Sequence, residues 1–140
     1  MTRIFLDANV LVSVLNKEYP LFTYSSRILS LASNPKFEVY TSPICLAITF
    51  YFAEKKHKST LAKQKIDLLC KHINIAENLT DGVLETLSNK KINDFEDGLE
   101  YYAAKRCKCN CIVTEDTDDF YFSEIEVLNC EQFFNHYLLN

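Results

Sequence analysis

The sequence predicts an α/β fold, a three-layer α/β/α sandwich around a short central parallel sheet. Short apolar segments rich in β-branched and aromatic residues alternate along the chain with longer segments of helical periodicity. Strands that are separated by helices pair in parallel and carry the helices on both faces of the sheet. Hydrophobic residues make up 48% of the 140 residues, with no repeat or linker, so we expect residues 1–140 to form a single domain.

The first elements are predicted by short apolar stretches with clear ends. Arg3–Asp7 is apolar apart from its two ends, so we expect a buried strand that finishes in a carboxylate. A short helix over Ala8–Asn16 follows it. A proline separates this helix from the amphipathic segment Leu21–Ala32, which a second proline ends. Phe37–Thr41 alternates between apolar and polar residues and predicts the second strand.

Two helices and a weak strand are predicted in the middle of the chain. Ser42 followed by Pro43 has the form of a helix N-cap with proline at the first helical position, and this helix should end near Lys56. Thr60–Lys71 should form the next helix, with Leu61, Leu68 and its other apolar residues on one face and the lysines opposite. His72–Ala76 is a weak candidate for the third strand.

The remaining segments complete the alternation of strands and helices. We expect a helix from Thr80 or Asp81 to Leu87, a helix capped by Asn93 or Asp94 that ends near Arg106, strands over Asn110–Thr114 and Glu126–Asn129, and a helix over Glu131–Leu138. Four aromatic residues in adjacent pairs should pack in the core or form a self-association surface: Tyr51, Phe52, Tyr101 and Tyr102.

Composition excludes several functions and compartments. The two glycines, Gly82 and Gly98, cannot build a phosphate-binding glycine loop or a serine-hydrolase nucleophile elbow. The longest apolar stretch is far short of the roughly 20 residues that a membrane span needs, so we expect no membrane segment. Six cysteines without an apolar signal segment indicate reduced thiols and a cytoplasmic protein.

Charge is unevenly distributed along a chain whose net charge is −4. Between Lys55 and His72 there are six lysines and one acid, whereas twelve of the nineteen acids lie between Asp81 and Glu126. A basic zone can contact a polyanion through its phosphates, and an acidic zone can hold cations. The alternative is that both zones are solvated helix faces.

Acidic residues follow two of the predicted strands. Asp7 ends the first strand, and Asp116 follows the fourth, while Asp94 and Asp97 share one face of a helix. Ligands of open parallel sheets bind beyond the carboxyl ends of the strands, so Asp7, Asp97 and Asp116 should share a cleft if these ends converge. Clustered carboxylates repel one another and favour hard divalent cations such as Mg²⁺ or Mn²⁺. Asp94 and Asp118 could equally cap a helix or a turn.

Three stretches resemble the signature motifs of the PIN-domain family, and they stand in the family's order. They are Ile4-Phe-Leu-Asp7-Ala-Asn9-Val-Leu-Val12, Asp94-Phe-Glu-Asp97-Gly-Leu-Glu-Tyr and Ile112-Val-Thr114-Glu-Asp116-Thr-Asp-Asp119-Phe120. The resemblance spans essentially the whole chain. It implies a metal-dependent endoribonuclease that cleaves RNA phosphodiesters, many such proteins being the toxin of a toxin–antitoxin pair.

The same resemblance implies roles for individual residues and partners. Asp7, Asp97 and Asp116 would hold Mg²⁺ or Mn²⁺, with Asp94 and Asp119 as outer or second-metal ligands. The side chains that would order the metal shell or the scissile phosphate are Asn9 and Thr114. An RNA substrate, an antitoxin protein and a homodimer are the expected partners.

One position departs from the family's pattern. The family usually carries an acid, commonly Glu, early in the helix after the second strand, and Ile48 stands there. Glu54 is six residues further on, about 120° around the helix, and is a poor substitute. The site should then hold metal more weakly, or hold one ion. The alternative function is a catalytically weakened PIN-like module that binds RNA or protein, which becomes the better interpretation if Asp97 does not join Asp7 and Asp116.

Overall fold

A computed structural model describes residues 1–139. Its strands are β1 Thr2–Leu6, β2 Phe37–Thr41, β3 Asn74–Ile75, β4 Cys111–Val113 and β5 Glu126–Leu128. Its α-helices are α1 Ala8–Leu15, α2 Phe22–Leu29, α3 Pro43–Lys56, α4 Ser59–Cys70, α5 Thr80–Ser88, α6 Phe95–Arg106 and α7 Cys130–Phe133. Short 3₁₀ turns cover Ser30–Ser33 and Thr117–Phe120, and a π-helical turn covers Phe134–Leu138. None of the helices in residues 1–139 has the length and apolar character needed to cross a bilayer.

The strands form one parallel sheet in the order β3-β2-β1-β4-β5. β1 lies at the centre, with Ile4 opposite Val39 on one side and opposite Cys111 on the other. The chain builds the sheet outward from β1 to β3, then crosses back to add β4 and β5 on the opposite side. The strand order therefore reverses between β1 and β4, which opens a crevice at their carboxyl ends.

Two apolar cores lie on the two faces of this sheet. Successive side chains of a strand point to opposite faces, so Ile4 and Leu6 of β1 belong to one core and Phe5 to the other. The core of Ile4 includes residues of α1 and α2, while Phe5 lies with Ile112 and residues of α6. The predicted three-layer α/β/α sandwich with a parallel sheet is confirmed.

Several details differ from the sequence-based predictions. β3 has only two residues, and the predicted helix Leu21–Ala32 changes to a 3₁₀ turn after Leu29. The predicted apolar face of α4 was wrong in part, because Leu61 and Leu68 are exposed, whereas Leu69 is buried and Ile66 packs against the core. Of the two alternatives for the aromatic pairs, packing in the core holds for Tyr101, which is buried. Tyr51 and Phe52 on α3 are 53% and 44% exposed and not in the core, so a self-association surface stays the prediction for them.

Close packing of α5 against α6 depends on a glycine. A Cβ atom at Gly98 would lie 2.3 Å from Thr86 Cγ2 and 2.8 Å from Thr86 Oγ1. The Thr86 hydroxyl is fixed by a hydrogen bond that it donates to the Gly82 carbonyl at 2.7 Å. No other residue type therefore fits at position 98 without moving α5. Gly98 directly follows Asp97, one of the acids predicted for the site.

We expect Gly98→Ala to lower the free energy of unfolding by about 1–3 kcal/mol, because overpacking in a close contact forces a backbone shift. Urea denaturation measures the change. Gly82→Ala is the matched control in the adjacent helix, since its Cβ would meet only Tyr102 Cβ, at 3.3 Å. The free energy of unfolding of Gly82→Ala should stay within about 1 kcal/mol of the wild-type value, because alanine is favoured over glycine in a helix by about that amount. Equal losses in the two variants would contradict the packing argument.

Candidate metal centre

Asp7 follows β1 directly and links three parts of the fold. Its extended backbone ends the strand, and its side chain is the N-cap of α1, where Oδ1 accepts a hydrogen bond from Ala8 N at 2.6 Å. Its Oδ2 accepts a hydrogen bond from Thr114 Oγ1 at 2.8 Å. The carboxylate is only 7% exposed, so these bonds fix its orientation at the edge of the crevice.

A polar network joins the carboxyl ends of β1 and β4. The Thr114 hydroxyl is fully buried; it accepts hydrogen bonds from Asn9 Nδ2 at 3.1 Å and from Asp116 N at 3.1 Å. Asn9 Nδ2 also donates to Asp116 Oδ2 at 3.2 Å, and Asn9 Oδ1 accepts from Glu115 N. Asn9 and Thr114 therefore hold Asp7 and Asp116 in a fixed relation across the two strands.

The turn after β4 presents its acids toward the same crevice. Phe120 is buried in the core and anchors the 3₁₀ turn. Asp116, directly before the turn, and Asp119, within it, remain exposed. Asp119 N donates to Asp116 O at 3.0 Å, which closes the turn. Glu115 is directed elsewhere: its Oε2 accepts a hydrogen bond from Cys130 N at 2.8 Å, at the beginning of α7.

The beginning of α6 supplies the third group of acids. Asp94 is the N-cap, and its Oδ1 accepts a hydrogen bond from Asp97 N at 3.2 Å. Asp97, in the first turn, is 9% exposed, and Glu96 beside it is exposed. Acids in the first turn of a helix are favoured by the helix dipole. The cap that was the structural alternative for Asp94 is therefore present, and the same residue also reaches the crevice.

These groups line one cavity of about 400 Å³. Of the residues predicted for the site, the cavity brings together Asp7, Asn9, Asp94, Asp97, Asp116 and Asp119. Thr114 lies behind them, and Asp118, Glu54 and the lysines are outside the lining. Glu18 and Glu96 add carboxylates that were not predicted. Ile48 and Phe52 of α3 form an apolar wall.

The cavity carries a concentration of negative charge without a basic partner. Within residues 1–139, no lysine or arginine lines it, and the acids that form ion pairs are Glu38, Asp67 and Asp81, all elsewhere. Burial, followed by the negative charges of Asp94 and Asp119, raises the pKa of Asp97 to about 7. Burial and neighbouring acids also raise the pKa of Asp119 and of Glu96.

Sequence reasoning missed one buried acid, Glu100 on α6. This side chain is 1% exposed and accepts a hydrogen bond from Cys45 Sγ at 3.1 Å. Burial and a hydrogen bond with Asp7 raise its pKa to about 11. The available signal was its spacing: Glu100 is three residues after Asp97 and therefore on the same face of the helix.

The donor set suits a hard divalent cation. Carboxylate oxygens from three separate elements surround the cavity, with an amide from Asn9 and no competing lysine, and such oxygen-rich sets favour Mg²⁺-like ions. The ligand oxygens of Glu96, Asp97 and Glu100 lie within 4.8 Å of one another, and so do the ligand atoms of Asp7, Cys45 and Glu100. A bound cation would also relieve the repulsion that raises the pKa of Asp97.

Comparison with known proteins agrees with this arrangement. The sequence model of a family described as PIN domain matches residues 3–118. Ribonuclease VapC1 of Aquifex aeolicus (strain VF5) is 28% identical over 138 residues, which cover 94% of this chain and 92% of the relative.

Solved structures share the fold at low sequence identity. VapBC2 from Rickettsia felis, bound to a DNA fragment from its promoter, matches with a TM-score of 0.70 and 20% identity, covering 91% of this chain and 98% of that chain. VapC20 of Mycobacterium tuberculosis, a toxin that cleaves the Sarcin-Ricin loop, matches with a TM-score of 0.69 and 16% identity, covering 89% and 98%.

The raised pKa of Asp97 predicts how the stability of the metal-free protein depends on pH. The unfolded chain has the ordinary value of 3.8, and the folded protein about 7, so between these values the folded state binds more protons and its stability falls as pH rises. Asp97→Asn should reduce the fall in the free energy of unfolding between pH 4 and pH 8 by about 1–3 kcal/mol. Urea denaturation across this range measures it.

Asp118→Asn is the control for this measurement, because it removes the same charge from an exposed position outside the cavity. It should leave the pH dependence close to that of the wild type. If the free energy of unfolding depends on pH in the same way in Asp97→Asn and Asp118→Asn, burial and the negative charges of the cavity do not raise the pKa of Asp97.

Proposed function

The chain belongs to the PIN domain family, and from that premise we propose that it is a divalent-metal-dependent endoribonuclease, the toxin of a toxin–antitoxin pair. Ribonuclease VapC1 of Aquifex aeolicus supports the activity, since the similarity extends over nearly the full length of both chains. VapBC2 from Rickettsia felis supports the assembly with an antitoxin, because it shares this fold.

The observation that carries the proposal is the convergence of Asp7, Asp97 and Asp116 in one cavity at the reversal of strand order. The binding-module alternative would be favoured by a site in which only Asp7 and Asp116 meet. Because Asp97 lines the same cavity, cleavage remains the better interpretation. Ile48 in the wall leaves α3 without a carboxylate there, but α6 adds Glu96 to the same cavity.

We assign the residues as follows. Asp7, Asp97 and Asp116 would hold Mg²⁺ or Mn²⁺, with Asp94 and Asp119 at the outer side. Thr114 is fully buried and donates to Asp7, so it orients that carboxylate rather than contacting the phosphate. Asn9 fixes Asp116 through the hydrogen bond from its amide.

The reaction is the hydrolysis of an RNA phosphodiester. Water adds to phosphorus, the bond from phosphorus to the leaving ribose oxygen breaks, and that oxygen takes up a proton. When bound, the cation supplies Lewis-acid activation of water and neutralises charge on the phosphate. The carboxylates on their own would repel RNA, so binding of substrate in this cavity depends on that neutralisation.

Lysines beside the apolar wall are the best candidates for contacts with the RNA backbone. Lys55 Nζ lies 4.3 Å from the centre of the Tyr51 ring and 5.8 Å from that of Phe52, which lines the cavity. A cation at this position can contact phosphates on either side of the scissile bond. Because the net charge is −4, affinity for RNA should be modest and should fall steeply with salt.

Three further aspects complete the proposal. All six cysteines are free, as suits a protein that works in the reducing cytoplasm. We propose that residues 1–140 act as one domain, because the two cores lie on the two faces of one sheet. The homodimer that the family resemblance implies stays a prediction.

Calorimetric titration of Mn²⁺ tests the centre without a choice of RNA. The wild type should bind Mn²⁺, and Asp116→Asn should weaken binding about tenfold or more, since the loss of one ligand charge exceeds the roughly 1.4 kcal/mol of a tenfold change. Cleavage of a panel of cellular RNAs should fall on the order of 100-fold, because metal activation contributes several kcal/mol. Asp118→Asn, with the same charge change two residues away, should leave both unchanged.

A wild type that neither binds Mn²⁺ at millimolar concentration nor cleaves RNA would contradict the proposal. The function would then be that of a binding module. Loss of binding in both Asp116→Asn and Asp118→Asn would instead show that net charge, rather than the cavity, attracts the ion.

Expression of the chain alone should slow growth of the host. Co-expression of its antitoxin should restore growth, and the antitoxin should co-purify with the chain. The physical reason is that a basic or apolar segment laid across the cavity excludes RNA, and a basic one also neutralises the acids of the cavity. A host that expresses Asp116→Asn without the partner should grow normally, and a host that expresses Asp118→Asn should not. Equal toxicity of the wild type and Asp116→Asn would separate toxicity from the metal centre.

A further inference from the structure

Phe52 is an exposed aromatic side chain that also lines the acidic cavity. It is 44% exposed, and Ile48 lies one turn earlier on the same face of α3 and lines the cavity with it. Val12 of α1 adds a further apolar side chain to the lining. A single exposed phenylalanine on a protein surface needs no explanation. This ring, however, is part of the cavity that holds the acids, so what it contacts there bears on the substrate.

Neighbouring groups hold the Phe52 ring in place. The Phe52 carbonyl accepts a hydrogen bond from Asn16 Nδ2 at 3.4 Å, which ties this turn of α3 to the end of α1. The centre of the Tyr51 ring is 5.2 Å from that of Phe52, and the two planes are inclined at 80°. Lys55 Nζ lies 5.8 Å from the centre of the Phe52 ring. A side chain that is already ordered loses little conformational entropy when a ligand packs on it.

The charge of the cavity decides which part of a nucleotide this ring can contact. Within residues 1–139 no lysine or arginine lines the cavity, so a phosphate binds there only at a cation that the carboxylates hold. The base is uncharged and has a flat π face, and it therefore suits the apolar wall of Ile48 and Phe52. The cavity of about 400 Å³ is of the size of small-ligand sites, which run from roughly 300 to 1,000 Å³.

Only an unpaired base can use this ring. In a duplex each base is stacked on both faces, whereas bases of single strands, loops and bulges can be splayed out and stacked on aromatic side chains. Such stacking tolerates any sequence, because every base has a π face. A contact with Phe52 would consequently select RNA by its structure rather than by the identity of the base.

We propose that Phe52 is a specificity residue, on which an unpaired base beside the scissile phosphate stacks, and that the chain therefore acts on single-stranded segments of RNA. This inference rests on the proposed function, because that function places the scissile phosphate in the cavity. It adds a contact for the base to the contacts for the phosphate. Lys55, next to the ring, is then close to the phosphate that follows along the strand.

Fluorescence anisotropy with a short, unpaired, labelled oligoribonucleotide tests the contact. The titration is made in Ca²⁺, a hard cation for the same oxygen ligands, with the oligonucleotide checked on a gel for intactness. Phe52→Ala should weaken binding about 5–50-fold, because stacking of one base on an aromatic ring is worth about that factor. Phe52→Trp keeps an aromatic face and should stay within about threefold of the wild type. Phe52→Leu, apolar but without a π face, should bind more than about threefold more weakly.

Tyr51→Ala is the matched control, because Tyr51 is an exposed aromatic residue on the same helix but does not line the cavity. Its affinity for the oligonucleotide should stay within about threefold of the wild type. Annealing the oligonucleotide to its complement removes the unpaired bases, so the wild type and Phe52→Ala should bind the duplex equally. Phe52→Ala should also bind Mn²⁺ as the wild type does, since phenylalanine supplies no ligand atom.

These measurements separate the stacking contact from the proposed function. A wild type that binds Mn²⁺ and cleaves RNA, with no loss of RNA affinity in Phe52→Ala, would overturn the stacking contact and leave the function in place. A wild type that neither binds Mn²⁺ nor cleaves RNA, but binds the unpaired oligonucleotide through Phe52, would leave the base contact in place while the function fails.

Three further outcomes would overturn the proposal. Equal affinity of Phe52→Leu and the wild type would reduce the contact to apolar packing, and an equal loss on the duplex would remove the selection for unpaired bases. In analytical ultracentrifugation, a wild-type dimer that Phe52→Ala converts to a monomer would assign the ring to a protein interface. Urea denaturation checks that the variants fold, and Phe52→Leu and Phe52→Trp decide the matter if Phe52→Ala does not.

Discussion

The hydrogen bonds of the Asp7 carboxylate join the parts of this protein that matter for its chemistry. Through them β1 passes into α1, and the end of β4 is tied to the end of β1. The placement of Asn9 follows from the same attachment, because Asp7 caps α1 and Asn9 in the first turn of that helix reaches Asp116. The site is thus a consequence of how β1 and β4 pair at the centre of the sheet.

This arrangement carries a cost that the protein accepts for function. Acids from three elements share a cavity that no basic side chain of residues 1–139 lines, and the pKa of one of them, Asp97, is raised to about 7. The pKa of Glu100, which is buried outside the cavity lining, is raised to about 11. Folded proteins are only marginally stable, so a cluster of this kind is tolerated where the core beneath is well packed. Here Phe5, Ile112 and Phe120 supply that support directly under the cavity.

The sequence was sufficient for the strands and for most of the cavity, and the reason is chemical. Asp7 and Asp116 follow apolar strands, and the carboxyl ends of parallel strands meet at one edge, so their approach could be predicted. Burial of individual helix residues could not be predicted. Leu61 and Leu68 of α4 look like core residues but are exposed, because apolar side chains are spread around that helix. Glu100 looks like a surface residue but is buried. Its neighbour Asp7 is 93 positions away in the chain, so the sequence does not show that the two residues meet.

The central pairing of β1 with β4 also determines when the site can exist during synthesis. Ile4 lies opposite Cys111, and the hydrogen bond from Thr114 to Asp7 spans 107 positions. A ribosome-bound chain that has exposed β1, α1 and α3 still lacks every contact that orients Asp7 from β4, and such long-range pairings form late. The acidic cavity of the nascent polypeptide is consequently incomplete through most of its translation. Its assembly waits for the last quarter of the chain, and for the toxin proposed above this delay gives the cell an interval in which an antitoxin made at the same time can already be present.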